Sequence, residues 1–250
     1  MNLELVEQAY SKASGSTDTL YGDVIFDVNL TVQYTERRVW GETDPDYDYS
    51  LEGVQITIEE LVTNASEYVG KKVALQGIVS SKLGGAVFVQ QGDYGVYVYN
   101  RSWAPDLTVG NEIQISGVTV TYYPDSETGA LQVSGYQARP PYSSTLSRDN
   151  VVTPRTVLIE AITTNDIGSL LKVEGLTVKS VYEGTDGAFT VTAEDADGNT
   201  ITVRRDADSP DDITLNMFSV GTTFDVIGTL SRYMGSYQLM LTNLENIIFE

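Results

Sequence analysis

The sequence predicts an all-β protein: two tandem five-stranded Greek-key barrels with short helices, behind an N-terminal extension that contains a long strand. Two observations predict this. The chain repeats itself, since GKKVALQG (Gly70 to Gly77) returns about 100 residues later as GSLLKVEG (Gly168 to Gly175), and VGNEIQISG (Val109 to Gly117) returns as VGTTFDVIG (Val220 to Gly228) in the same order. Each copy also holds short runs of alternating apolar and polar residues bounded by glycine and aspartate turns, the pattern of strands half-buried on a core. The divisions that follow are an extension over 1–55, a first barrel over 56–140, a linker over 141–155 and a second barrel over 156–250.

Leu3, Val6 and Tyr10 stand at helical spacing and predict a short helix ended by Ser14-Gly15-Ser16. Residues 24–34 alternate with period two: Val24, Phe26, Val28, Leu30, Val32 and Tyr34 share one face, which predicts a long strand. Residues 41–53 form an acidic, turn-rich connection. Ile56 to Tyr68 predicts a helix capped by Thr57, with Glu60 at capping-box spacing, and Thr156 to Asp166 is its equivalent in the second copy.

The first barrel's strands are expected at Lys72 to Ser80, Ala86 to Gln90, Val96 to Arg101, Glu112 to Tyr123 and Ala130 to Tyr136. Gly92-Asp93-Tyr94-Gly95 turns the hairpin between the second and third. Ala138 to Pro154 reads as a linker rich in Pro, Ser and Thr. The second barrel's strands are expected at Leu170 to Val181, Ala188 to Glu194, Thr200 to Arg205, Thr223 to Tyr233 and Ser236 to Leu241, with the acidic loop Asp206 to Asp212 after the third. Five strands with a break after the third, and a first strand able to bend at glycine, match the OB type of Greek-key barrel. A pair of immunoglobulin-type sandwiches is the alternative, but it needs about seven strands per module.

The pattern V-x-L-x-G-x-V from Val73, the strand ending Val89-Gln90-Gln91-Gly92, the run Gly95-Val96-Tyr97-Val98-Tyr99, and Leu107-x-Val109-Gly110-Asn111-x-Ile113-x-Ile115-x-Gly117 together resemble the OB-fold accessory modules of secreted bacterial nucleases and surface lipoproteins. The resemblance covers residues 57–137 well and 157–249 loosely. It implies a non-catalytic module of an exported, extracellular or cell-surface protein, of the kind assumed to bind nucleic acid. The nuclease catalytic domain of such proteins has no counterpart in this sequence.

Composition excludes much chemistry. The 250 residues include no Cys and no His, so there is no disulfide framework, thiol nucleophile, imidazole base or ordinary zinc site. There is no G-x-S-x-G elbow, phosphate-cradling Gly-rich loop or H-E-x-x-H motif, and no enzyme activity is expected. No stretch approaches the length of an apolar membrane span. Net charge is −20, distributed as −8 over 1–55, −3 over 56–140, +1 over 141–155 and −10 over 156–250. Such a chain repels polyanions at long range, and duplex DNA held through its phosphates is disfavoured.

An OB barrel takes ligands across its second and third strands and the adjoining loops. Here that surface offers Phe88, Gln90, Tyr97, Tyr99, Arg101 and Trp103, with Lys82 and Tyr122-Tyr123 from the loops. Aromatic rings beside a few cations suit stacked bases of single-stranded nucleic acid, and suit the rings of a glycan equally. Other domains or surface proteins are the remaining class of partner. The strand phase decides whether the rings are exposed. Aligning Val96-Tyr97-Val98-Tyr99 with Thr200-Ile201-Thr202-Val203 turns Tyr97 and Tyr99 inward and puts Phe88, Val96 and Val98 on the ligand face; a one-residue slip reverses this. The first barrel is then the expected binder and the second a more acidic spacer or partner surface. Asp44-x-Asp46-x-Asp48 and Asp195-x-Asp197-x-Asn199 have the spacing of calcium ligands, and Asp206 is twelfth from Asp195, but Tyr49 and Thr200 stand where such a loop needs glycine. No metal and no cofactor is expected.

Overall fold

The computed structural model describes residues 3–7, 9, 11–13, 20–33, 38–40, 53–101, 104, 107–135 and 143–249. The chain forms two compact units, Met1–Ser50 and Leu51–Glu250. In the first unit, helix α1 (Leu3–Glu7) packs on helix α2 (Gly22–Gln33). The long strand expected over 24–34 is therefore a helix. Gly22 and Asn29 are buried and Ile25, Phe26, Val28 and Val32 are half-buried along one side of the helix, while Val24 and Leu30 are exposed. Ile25, which interrupts the period-two alternation, is one of the residues that face inward. The Asn29 side-chain oxygen accepts from the Ala13 backbone N–H at 2.7 Å. The acidic stretch 41–52, with Asp44, Asp46 and Asp48, lies outside the described residues.

The second unit holds two barrels. Strand β1 (Val54–Gln55) lies beside the first, followed by α3 (Ile58–Thr63) and α4 (Ala65–Tyr68). The Thr57 hydroxyl caps α3 by accepting from the Glu60 N–H. The barrel strands are β2 (Lys72–Leu83), β3 (Ala86–Gln91), β4 (Tyr94–Tyr99), β5 (Glu112–Tyr123) and β6 (Ala130–Ser134). They pair in the closed order β2-β3-β4-β6-β5-β2, with β4 and β6 parallel, which is the OB topology. β2 serves both sides of the closure: Lys72 to Ile78 pairs with β5, and Ile78 to Leu83 with β3. It changes partner beside Gly77, where a Cβ would stand 2.8 Å from the Gln90 carbonyl oxygen.

The stretch expected as a linker contains strand β7 (Ser143–Ser147), antiparallel to β5, and β8 (Arg155–Thr156), parallel to the next strand. Glu112 fastens β7 in place. Its carboxylate accepts from the Ser147 hydroxyl and the Gln76 side-chain amide, which hold it below the usual carboxylate range. The second barrel repeats the topology with β9 (Leu170–Glu183), β10 (Phe189–Glu194), β11 (Thr200–Arg205), β12 (Thr223–Tyr233) and β13 (Ser236–Met240), and β14 (Ile247–Phe249) adds to β12. The helix expected at Thr156 to Asp166 is instead two short 3-10 turns, Ile159–Ala161 and Thr164–Asp166, the second closed by a Thr163–Asp166 capping box.

Each barrel closes on its own core. Val87, Val89, Val96, Val98, Ile113, Ile115 and Val133 fill the first, with Ile58 and Leu61 of α3 packed against them. Phe189, Val191, Ile201, Val203, Phe224, Leu230 and Leu239 fill the second, where Phe218 packs on Phe189 and Phe224. Each such aliphatic or aromatic side chain contributes about 1.5–3 kcal/mol on burial.

Candidate ligand-binding cleft

The phase of β4 decides what this molecule shows to solvent. Val96 and Val98 point into the core, across from Val89 and Val87. Tyr97 and Tyr99 therefore face outward and are half-buried, whereas Phe88, the partner of Tyr97 on β3, lies on the same side but is only 2% exposed. The phase obtained by aligning the hairpins is corrected by one residue: Val98, not Tyr99, corresponds to Val203. The two turns differ in length. Gln91 pairs directly with Tyr94 around Gly92-Asp93, whereas Glu194 pairs with Thr200 around residues 195–199.

This outer face of β3 and β4 has two uses. At one end it docks on the second barrel. The buried Gln90 side-chain oxygen accepts from the Leu170 N–H at 2.9 Å, and its amide donates to the Gly92 carbonyl. The Ser169 hydroxyl donates to the Asp93 carbonyl, and the Ser81 and Thr229 hydroxyls share a buried hydrogen bond of 2.7 Å. Gln90, expected as a ligand contact, is thus an inter-barrel contact.

At its other end the same face opens into a cleft of about 780 Å³ between the barrels. The first barrel contributes Phe88, Tyr97, Tyr99, Arg101, Tyr123 and Gln132; the second contributes Arg204, Asp206, Asp208, Arg232, Tyr233 and Gln238. Phe88 and Tyr97 have ring centroids 4.9 Å apart, and Tyr97 and Tyr99 are nearly parallel at 6.3 Å. The Arg101 guanidinium lies 6.0 Å from the Tyr99 ring. Burial pushes the Tyr97 hydroxyl up to about 12, with Tyr99, Asp206 and Asp208 adding to the shift. It is neutral at ordinary pH, a hydrogen-bonding group on a largely apolar shelf.

The repeat brings equivalent positions into this one space. Tyr123 and Tyr233 each end the long fourth strand, and Gln132 and Gln238 pair with the equivalent Tyr97 and Thr202. The second barrel, expected as a spacer or partner surface, supplies half of the cleft. Its contribution was detectable only as this equivalence, since Tyr233 and Gln238 form no motif of their own.

Among the other residues expected at the site, Tyr122 points away from the cleft and packs on the first core, while its neighbour Tyr123 lines the cleft and is 63% exposed. Lys82 is half-buried and stands beside Leu83, which lines the cleft. Trp103 lies outside the described residues.

The acidic loop after β11 is firmly held. Arg205 is buried, and its guanidinium donates to the carbonyls of Ser209 and Pro210 and to the Asp211 carboxylate. Asp211 is fully exposed, so the carbonyl bonds matter more than the ion pair. The Asp206 N–H donates to the Ser209 hydroxyl. Arg204 pairs with Asp206 at 3.4 Å.

The calcium spacing at Asp195 is occupied by its own chain. The Asp195 carboxylate accepts from the N–H groups of Asp197 and Asn199 and from the Asn199 side chain, which lower its pKa. Among the described residues no three acidic side chains converge as a metal site, and no helix is long and apolar enough to cross a membrane.

No protein-family model matches the chain, and no curated protein matches it in sequence. Among solved structures it is similar to a murine DNA-binding protein bound with double-stranded DNA, at 12% identity over 71% of this chain and 97% of that one, with a TM-score of 0.34. It is similar to the HINa domain of Ifi202 in complex with a 20-bp double-stranded DNA, at 15% identity over 71% and 94%, with the same TM-score of 0.34. The strand pairings, not these distant likenesses, define the barrels.

Proposed function

We propose that the protein is a non-catalytic binding module that holds single-stranded nucleic acid in the cleft between its barrels. The observation that carries this is the shelf formed by the half-buried Tyr97 and Tyr99, with the buried Phe88 packed against Tyr97, on the outer face of β3 and β4, the surface on which an OB barrel takes its ligands. Stacking on such a shelf contributes about 1–3 kcal/mol per base and tolerates any base. Arg101, Arg204 and Arg232 outnumber Asp206 and Asp208 around it, so the cleft is locally less hostile to a phosphate than the −20 chain as a whole. At physiological salt the screening length is about 8 Å, and the local balance governs. Binding is then stacking-dominated, with a shallow salt dependence. An exported, cell-surface setting belongs to the same proposal, and the absence of cysteine agrees with it.

Asp206 and Asp208 favour a second reading, a glycan. Carboxylates accept from sugar hydroxyls, and tyrosine rings stack on sugar faces without any need for positive potential. Fluorescence anisotropy of a labelled mixed-sequence single strand, titrated at low salt, tests the proposal. Saturable binding that weakens only modestly with salt is expected. No binding at low salt and none at physiological salt, where the overall negative charge of the chain is screened, rejects it; saturable binding of unlabelled oligosaccharides by calorimetry would then favour the glycan.

A further inference from the structure

Resting on that reading of the cleft, we infer that the acidic loop after β11 makes it selective for nucleobases with an exocyclic amino group, namely cytosine, adenine and guanine, over thymine and uracil. Asp206 and Asp208 line the same space as Phe88, Tyr97 and Tyr99. Their charges reach the Tyr97 hydroxyl, where they help to keep the proton on. Asp208 spans to the first barrel: a Cβ on Gly84 would stand 2.2 Å from its carboxylate oxygen. The loop is pre-set by the buried Arg205 and by the Asp206–Ser209 bond, so the carboxylates are placed before any ligand arrives.

An ionised carboxylate only accepts hydrogen bonds. A base stacked on the tyrosine shelf beside it gains by presenting donors. Cytosine and adenine present an amino group, and guanine presents N1–H beside its amino group, a pair that matches both carboxylate oxygens. Thymine and uracil present one N–H between two carbonyl oxygens, which the carboxylate repels. In single strands these edges are free of pairing and open to such contacts. The same carboxylates repel phosphate, so the base and not the backbone enters this end of the cleft.

The test uses 5′-labelled homopolymers of about 12 nucleotides, within the span of an OB barrel or two. Anisotropy titrations of oligo-dC, oligo-dA and oligo-dT are run at one physiological salt concentration, where the overall charge of the chain is screened, on the wild-type chain and on Asp206→Asn/Asp208→Asn, with circular dichroism confirming that the variant folds. Oligo-dT is expected to bind the wild type about five- to tenfold more weakly than oligo-dC or oligo-dA, the low end of what one good base-edge contact discriminates. The asparagines offer donors as well as acceptors, and the ratio should fall below about twofold in the variant. Equal binding of oligo-dT and oligo-dC by the wild type overturns the inference while leaving the nucleic-acid reading intact, as does a preference that survives in the variant. Failure of every strand to bind overturns both.

Discussion

Gly95 of the first barrel and Gly168 of the second lie backbone to backbone. A Cβ on Gly95 would stand 2.1 Å from the Gly168 carbonyl oxygen, and one on Gly168 would stand 2.5 Å from the Gly95 carbonyl carbon. This contact sets how closely the barrels meet, and with it the width of the cleft. Gly95→Ala must push the barrels apart. We expect a loss of about 1–3 kcal/mol in urea denaturation, the usual cost of overpacking, together with weakened strand binding. Unchanged stability and binding would show that the barrels are not held at this point.

The Ser81 and Thr229 hydroxyls, buried together at the same interface, give a cleaner energetic test. Ser81→Ala alone leaves the Thr229 hydroxyl buried without its partner and should cost about 1–3 kcal/mol. Ser81→Ala with Thr229→Val removes both polar groups and should recover most of that loss. A double-mutant cycle measures the difference. Strictly additive effects would mean that the hydroxyls do not meet.

Tyr97 makes stability depend on alkaline pH. Its folded pKa, about 12, lies above the ordinary tyrosine value of 10. The unfolded chain therefore releases this proton first. The contribution is fully present below about pH 10 and is lost as pH rises towards about 12. Urea melts across this window should show the wild type losing more stability than Tyr97→Phe, with the other tyrosines cancelling in the comparison. Parallel losses would place the Tyr97 hydroxyl in water.

Most of the strand pattern was legible because period-two alternation and glycine turns are local. Glu112 to Tyr123 and Thr200 to Arg205 lie where the alternation puts them. Two kinds of feature were not legible. The helix Gly22–Gln33 reads as a strand because Val24, Phe26, Val28 and Leu30 alternate by accident, and only packing on α1 reveals Ile25 and Asn29 as its inner face. The phase of Tyr97 and Tyr99 depends on the length of a turn that the two copies do not share, so the repeat itself misleads by one residue. Phe88, Tyr97, Tyr99 and Arg101 were visible as candidates from the first barrel alone. Arg204, Asp206, Asp208 and Arg232 were not, because they join the site only when the second barrel docks on Gln90 and Gly95.

The central claim is that the tyrosine shelf in the inter-barrel cleft is where the ligand stacks. The most direct test compares strand affinity, by anisotropy at low salt, of Tyr97→Ala/Tyr99→Ala with that of Tyr182→Ala, a 72% exposed tyrosine that does not line the cleft. Loss of two stacking partners at about 1–3 kcal/mol each predicts at least a thirtyfold weakening for the double variant, roughly, and none for Tyr182→Ala. Equal affinity in the two variants would contradict the claim and move the ligand off this face.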